Sequence, residues 1–90
     1  MKLTILGMNG PFPAPGGATS GYLLESDSGE TKLLIECGSG VLARATRYVK
    51  IEELTAIVLS HLHFDHMSDM GVLQYLLQFT HMRRNLPVIA

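Results

Sequence analysis

Ninety residues make at most one small domain, and a chain this short buries only about 60 to 65% of the surface its unfolded form exposes. The composition, 47% hydrophobic and 17% charged without repeats or low-complexity runs, is globular; the formal net charge of −1 supplies no electrostatic reason to bind nucleic acid or a membrane surface. A single cysteine, Cys37, excludes an intrachain disulfide, and no run approaches the roughly 18 apolar residues a membrane-spanning helix needs.

The chain opens with a β-rich stretch, Lys2 to Leu6, that reads as a strand and stops at Gly7. Gly7, Asn9 and Pro11 break the apolar run too early for a signal-peptide core of about 7 to 15 residues, so the expected setting is soluble and cytoplasmic. Asn9 to Gly17 holds three of the four prolines and three glycines and must be a loop. Gly21 to Glu25 and Lys32 to Glu36 read as a hairpin around the turn Ser26-Asp27-Ser28-Gly29. After the glycine-rich exit Cys37 to Gly40, the apolar residues Val41, Ala45, Tyr48 and Val49 suit one amphipathic helix over 41–49. Ile51 to Leu54 is a short connection, and Ala56 to Leu59 is the continuous apolar run of a strand covered on both faces. Met70, Leu73, Leu76, Leu77 and Thr80 then mark a helical stripe, with Ser68 or Asp69 as N-cap and Arg83 and Arg84 near the C-terminus, where positive charge suits the helix dipole. Leu86 to Ala90 starts a last strand with neither partner nor return. Strands followed by alternating strands and helices predict an α/β layered arrangement, here the front part of a longer fold.

Three of the chain's four histidines crowd into six residues, His61-x-His63-x-Asp65-His66, directly behind the apolar strand. Residues two apart in an extended segment point the same way, so His61 and His63 can face one point, with Leu62 turned into the structure. Asp65 and His66, where the chain turns toward the helix, can face a second point nearby. Imidazoles and a mixed imidazole–carboxylate set both suit zinc. Two such points would hold a pair of metals, between which a water ionises near neutral pH and attacks an ester, amide or phosphodiester. The position outside a strand's carboxyl end is where layered α/β sheets gather ligands.

The cluster strongly resembles the metal-binding motif of the metallo-β-lactamase-fold hydrolases. LGMNGPFPAPGGATSGYLLE followed by LLIECGSG further resembles the opening of the ribonuclease-Z-like branch, so the likeness covers essentially the whole chain. It implies a four-layer αββα sandwich, with residues 1–90 as the N-terminal part of a single domain. It also implies His61 and His63 as ligands of a first metal and Asp65 and His66 as ligands of a second. Two zinc ions are the implied cofactors, with manganese or iron as compatible substitutes. Asp65 would also orient the bridging hydroxide and assist proton transfer.

Two departures stand out. Glu36 occupies a position that is commonly aspartate in relatives, which changes the reach of a carboxylate that could buttress the histidine loop. The family's later histidines and bridging aspartate must come from beyond residue 90 or from a partner chain; His81, three turns past the motif, reads as a surface or packing residue. Gly38-Ser39-Gly40 reads as a tight turn rather than a phosphate cradle, and Cys37 as a small buried residue rather than a nucleophile. Asp69 suits either a hydrogen bond to a ligand histidine or a helix cap. Met67 and Met70 read as core, and Pro11 to Gly17 either borders the site or merely connects.

The function expected from the resemblance is hydrolysis of a phosphodiester, either a nucleic-acid 3′ end, a cyclic nucleotide or a similar small molecule, without a membrane partner and compatible with a homodimer. Two alternatives stay open: a mononuclear iron persulfide dioxygenase, which shares the ligand cluster, and a non-catalytic fragment or interaction module.

Overall fold

The computed structural model describes residues 1–80 and 85–90. His81, Arg83 and Arg84, singled out from the sequence, lie outside the described residues. The strands β1 (Lys2–Gly7), β2 (Gly21–Glu25), β3 (Lys32–Ile35), β4 (Ala56–Val58) and β5 (Val88–Ile89) form one sheet in the order β1-β2-β3-β4-β5. The first three pair antiparallel, and β3–β4 and β4–β5 pair parallel. Each parallel step needs a crossover. The helix α1 (Val41–Ala45) and a 3-10 turn (Ile51–Glu53) supply the first; α2 (Phe64–Met67) and α3 (Met70–Thr80) lie in the second.

The hairpin is closed where the sequence places its turn. Ser26 N–H donates to Thr31 O, Gly29 N–H donates to Ser26 O, and Gly29 takes a φ of 77°. β5 has a partner, contrary to expectation. Ile57 N–H donates to Pro87 O at 2.9 Å and Leu59 N–H donates to Ile89 O at 2.7 Å, because the helical crossover returns the chain to the β4 edge.

Cross-strand register sorts the sheet into two faces. Leu23, Leu34 and Ile57 are aligned across the middle strands, each 0% exposed, and carry the core with Val41, Leu42 and Ala45 of α1 and Leu73 of α3. The opposite face carries the row Ile5, Tyr22, Ile35, Val58 and Ile89, one residue from each strand, beside Leu3, Leu24 and Leu33. That face is open among the described residues: Ile5 is 57% and Ile89 58% exposed. β4 is therefore covered on the Ile57 side, while Val58 on the other is half-buried.

The first helix is shorter than its periodicity suggests. Beyond Ala45 the bonding is mixed: Arg47 N–H donates to Arg44 O and Tyr48 N–H to Ala45 O in three-residue turns, while Thr46 N–H and Val49 N–H keep four-residue bonds to Leu42 O and Ala45 O. The phase shift leaves Val49 buried but turns Tyr48 out to solvent. No helix among the described residues is long and apolar enough to cross a membrane.

Candidate metal centre

The motif leaves β4 as a loop through His63, which stands in extended conformation (φ −68°, ψ 146°) at the N-cap of α2. Its four candidate ligands come together. The His61 and His63 rings lie edge-to-face with centroids 4.5 Å apart, and the His61 and His66 rings lie 4.1 Å apart. Asp65 Oδ2 is 3.3 Å from His66 Nε2. The expected pairing of His61 with His63 is not separated from His66 by distance; His61 sits between the other two rings. Leu62 is not turned inward. It is 65% exposed and Phe64 is 75% exposed, because the loop leaves the sheet before either can reach the core.

Glu36 organises this cluster. It is a non-glycine residue at φ 65°, held there by its N–H donating to Val58 O at 2.8 Å, and the left-handed backbone turns its side chain under the histidine loop. Ser60 N–H donates to Oε1 at 2.6 Å, the Ser60 hydroxyl donates to Oε2 at 3.0 Å, and His66 Nδ1 bonds the same Oε2. Burial alone would raise the Glu36 carboxyl; the bonds from the Ser60 backbone, His66 and the Ser60 hydroxyl outweigh it and hold the group below the ordinary glutamate value.

An ionised carboxylate only accepts, which fixes the protons around it. His66 must carry a proton on Nδ1 as donor to Glu36, so that Nε2, 3.3 Å from Asp65 Oδ2, is the nitrogen left for a metal. The Ser60 hydroxyl spends its proton on Glu36, so it accepts from His61 Nδ1, 2.8 Å away. His61 is thereby also left with Nε2 free. One carboxylate sets two imidazoles in the tautomer that ligates a metal, and the donor set fits a divalent cation. Glu36, His61 and His66 also each offer one donor atom within a 4.8 Å group, the direct result of this buttressing. Sequence reading flagged Glu36 but missed Ser60, whose only signal was its place immediately before His61.

The surrounding turns resolve the remaining candidates. Gly40 takes φ 84°, and the N–H groups of Cys37, Gly38 and Val41 are bonded to the carbonyls of His66, Ser20 and Gly38, so the segment is a tight turn. Cys37 is fully buried, and burial, with the Asp69 charge adding to it, pushes its thiol up to about 12, far from a nucleophile's range. Asp69 begins α3, since Leu73 N–H donates to its carbonyl, but its carboxylate accepts Leu42 N–H at 2.9 Å and caps α1 instead. Met67 and Met70 pack on the core. The proline-glycine loop does border the site: a side-chain carbon on Gly10 would stand 3.4 Å from Asp65 Oδ2.

A sheet whose parallel strands open into a His-x-His-x-Asp-His loop defines a metal-dependent class, and the chain belongs to the metallo-beta-lactamase superfamily, whose family model matches residues 14–86. Over 75 residues it is 52% identical to the probable metallo-hydrolase YhfI of Bacillus subtilis, covering 83% of this chain and 30% of that protein. Over 72 residues it is 38% identical to a Ribonuclease Z of Mycobacterium bovis, covering 79% of this chain and 25% of the relative. The crystal structure of the metallo-beta-lactamase fold protein YhfI superposes with a TM-score of 0.86 at 45% identity, over 96% of this chain and 35% of that one. The chain thus spans about a third or less of the length of these relatives.

Proposed function

We propose that residues 1–90 form the N-terminal part of a single catalytic domain of a cytoplasmic phosphodiester hydrolase that holds two zinc ions. His61 and His63 would hold the first metal and Asp65 and His66 the second, with the remaining ligands coming from residues past 90 or from a partner chain. The observation that carries this reading is the clustering of His61, His63, Asp65 and His66 in one loop, with Glu36 engaging Nδ1 of His66 directly and Nδ1 of His61 through Ser60. The relatives named metallo-hydrolase and Ribonuclease Z support hydrolysis, and the second of them favours a phosphodiester.

Two divalent ions bound there would supply Lewis acidity, bringing the ionisation of a water near neutral pH and offsetting charge that develops on the phosphate. Asp65 Oδ2, facing both His66 and the Gly10 loop, is placed to hold a proton at the mouth of the site. The exposed rings of His61 and His63 leave the first metal's position open to a substrate.

Elemental analysis of the complete protein, purified without added metal, is expected to give about two zinc ions per chain. His63→Ala is expected to abolish hydrolysis of bis(p-nitrophenyl) phosphate while the far-ultraviolet circular dichroism stays unchanged. Unchanged hydrolysis in that variant would sink the assignment, and one iron with oxygen consumption would replace it by a dioxygenase.

A further inference from the structure

The short helix α2 carries both ligands assigned to the second metal, yet none of its residues is buried. Apolar packing holds it only at its end, through the partly buried Met67. Backbone bonds hold the rest: Cys37 N–H donates to His66 O at 2.7 Å, and Asp69 N–H donates to Cys37 O at 3.0 Å. The second of these has a consequence inside α2. Asp69 N–H is the donor that would close the helical bond to the carbonyl of Asp65, four residues earlier. It is spent on Cys37, while Ser68 N–H goes to Phe64 O. The Asp65 carbonyl is left without a backbone donor among the described residues.

An unpaired donor stands on the other side of the same gap. Thr19 is 1% exposed, and its hydroxyl is buried without a hydrogen-bond partner. Gly38 separates the two groups: a side-chain carbon there would overlap both the Thr19 hydroxyl and the Asp65 carbonyl oxygen. A buried hydroxyl without a partner destabilises the fold, so donating to the carbonyl oxygen beside it relieves the hydroxyl and supplies the carbonyl with a donor at once. Thr19 is itself fixed, since its N–H donates to Ser39 O at 3.0 Å.

We propose that Thr19 is a positioning residue for the second-metal half of the site, its hydroxyl serving as donor to the Asp65 main-chain carbonyl, directly or through one bound water. This rests on the reading of Asp65 and His66 as metal ligands. Glycine at 38 is then required because only a residue without a side chain lets the two oxygens meet. The hydroxyl acts through Asp65 and touches neither metal nor substrate.

The test uses the complete protein with Thr19→Val, which keeps the shape and removes the O–H, and Thr19→Ser, which keeps the O–H and removes the methyl. Zinc affinity is read by competition with a chromophoric chelator, and amide hydrogen exchange of residues 64–69 is read on metal-free protein. Thr19→Val is expected to weaken the second of two binding steps about tenfold, leave the first unchanged and speed exchange in 64–69. Thr19→Ser is expected to match wild type in both, whatever its melting temperature. Equal losses in both variants, or wild-type exchange in Thr19→Val, would overturn the proposal. A wild type that takes up no zinc would overturn the metal reading, and the exchange comparison would still decide the role of Thr19.

Discussion

At Glu36 the chain pays about 1–2 kcal/mol to place a side chain in the left-handed region, a conformation that ordinary residues avoid. What that strain secures is a carboxylate that accepts from Ser60 twice and from His66 once. The extra methylene relative to aspartate gives the reach to serve both. Glu36→Gln is therefore expected to lower zinc affinity 10- to 100-fold with the fold retained, measured by chelator competition, and Glu36→Asp to fall in between. Wild-type affinity in the amide would mean that tautomer control lies elsewhere. That His61, His63, Asp65 and His66 cluster was legible, because their close spacing behind one strand keeps them together wherever the loop turns. Glu36's backbone conformation and the tautomer relay through Ser60 were not, since both depend on contacts between segments more than twenty residues apart. Cys37 supplies a second test at this scale. Its thiol is raised from 9.0 to about 12, so the folded state keeps a proton that the unfolded state releases. The contribution is full below pH 9 and is lost as pH rises from there toward 12. Urea midpoints are expected to fall across that window in wild type and to stay flatter in Cys37→Ala. The native thiol should also resist iodoacetamide at pH 8.

Elements in this chain are held more by each other's termini than by their own propensity. α1 is a five-residue helix whose N-cap, Gly40, has no side chain to offer, so Asp69 from the start of α3 supplies the missing acceptor to Leu42 N–H. The periodic pattern predicted α3 and its start correctly, because a long apolar stripe reports a buried face whatever surrounds it. It overran α1, because nothing local in Val41–Val49 announces where a helix tightens, and it placed Asp69 at the start of α3 without showing that its side chain reaches back to cap α1. Asp69→Ala is expected to destabilise the complete protein by about 1–3 kcal/mol, leaving a buried N–H unpaired. Asp69→Asn, which keeps an acceptor, should recover most of that loss in a thermal melt. A neutral alanine variant would show that Leu42 finds another partner.

For the whole molecule, the sheet is finished on one face and unfinished on the other. Leu23, Leu34 and Ile57 are sealed under the helices, whereas Ile5, Tyr22, Ile35, Val58 and Ile89 form an apolar row across all five strands with no layer over it among the described residues. Monomeric proteins rarely leave so continuous an apolar surface open. A four-layer sandwich places a second sheet on such a face, about 10 Å away, and the longer relatives have the length to build one. The sequence hinted at this through the unalternating run Ala56 to Leu59, which predicts cover on both sides of β4. Ile35→Lys separates the two situations. In residues 1–90 alone, the charge would face water, and dye binding by 1-anilinonaphthalene-8-sulfonate should fall with little change in helix content. In the complete protein the same charge would be buried without a counter-ion, a change expected to cost several kcal/mol and to unfold the domain or strip its metal. A complete protein that tolerates Ile35→Lys would mean that no second sheet lies on this face, and the later metal ligands would then have to reach the site by another route.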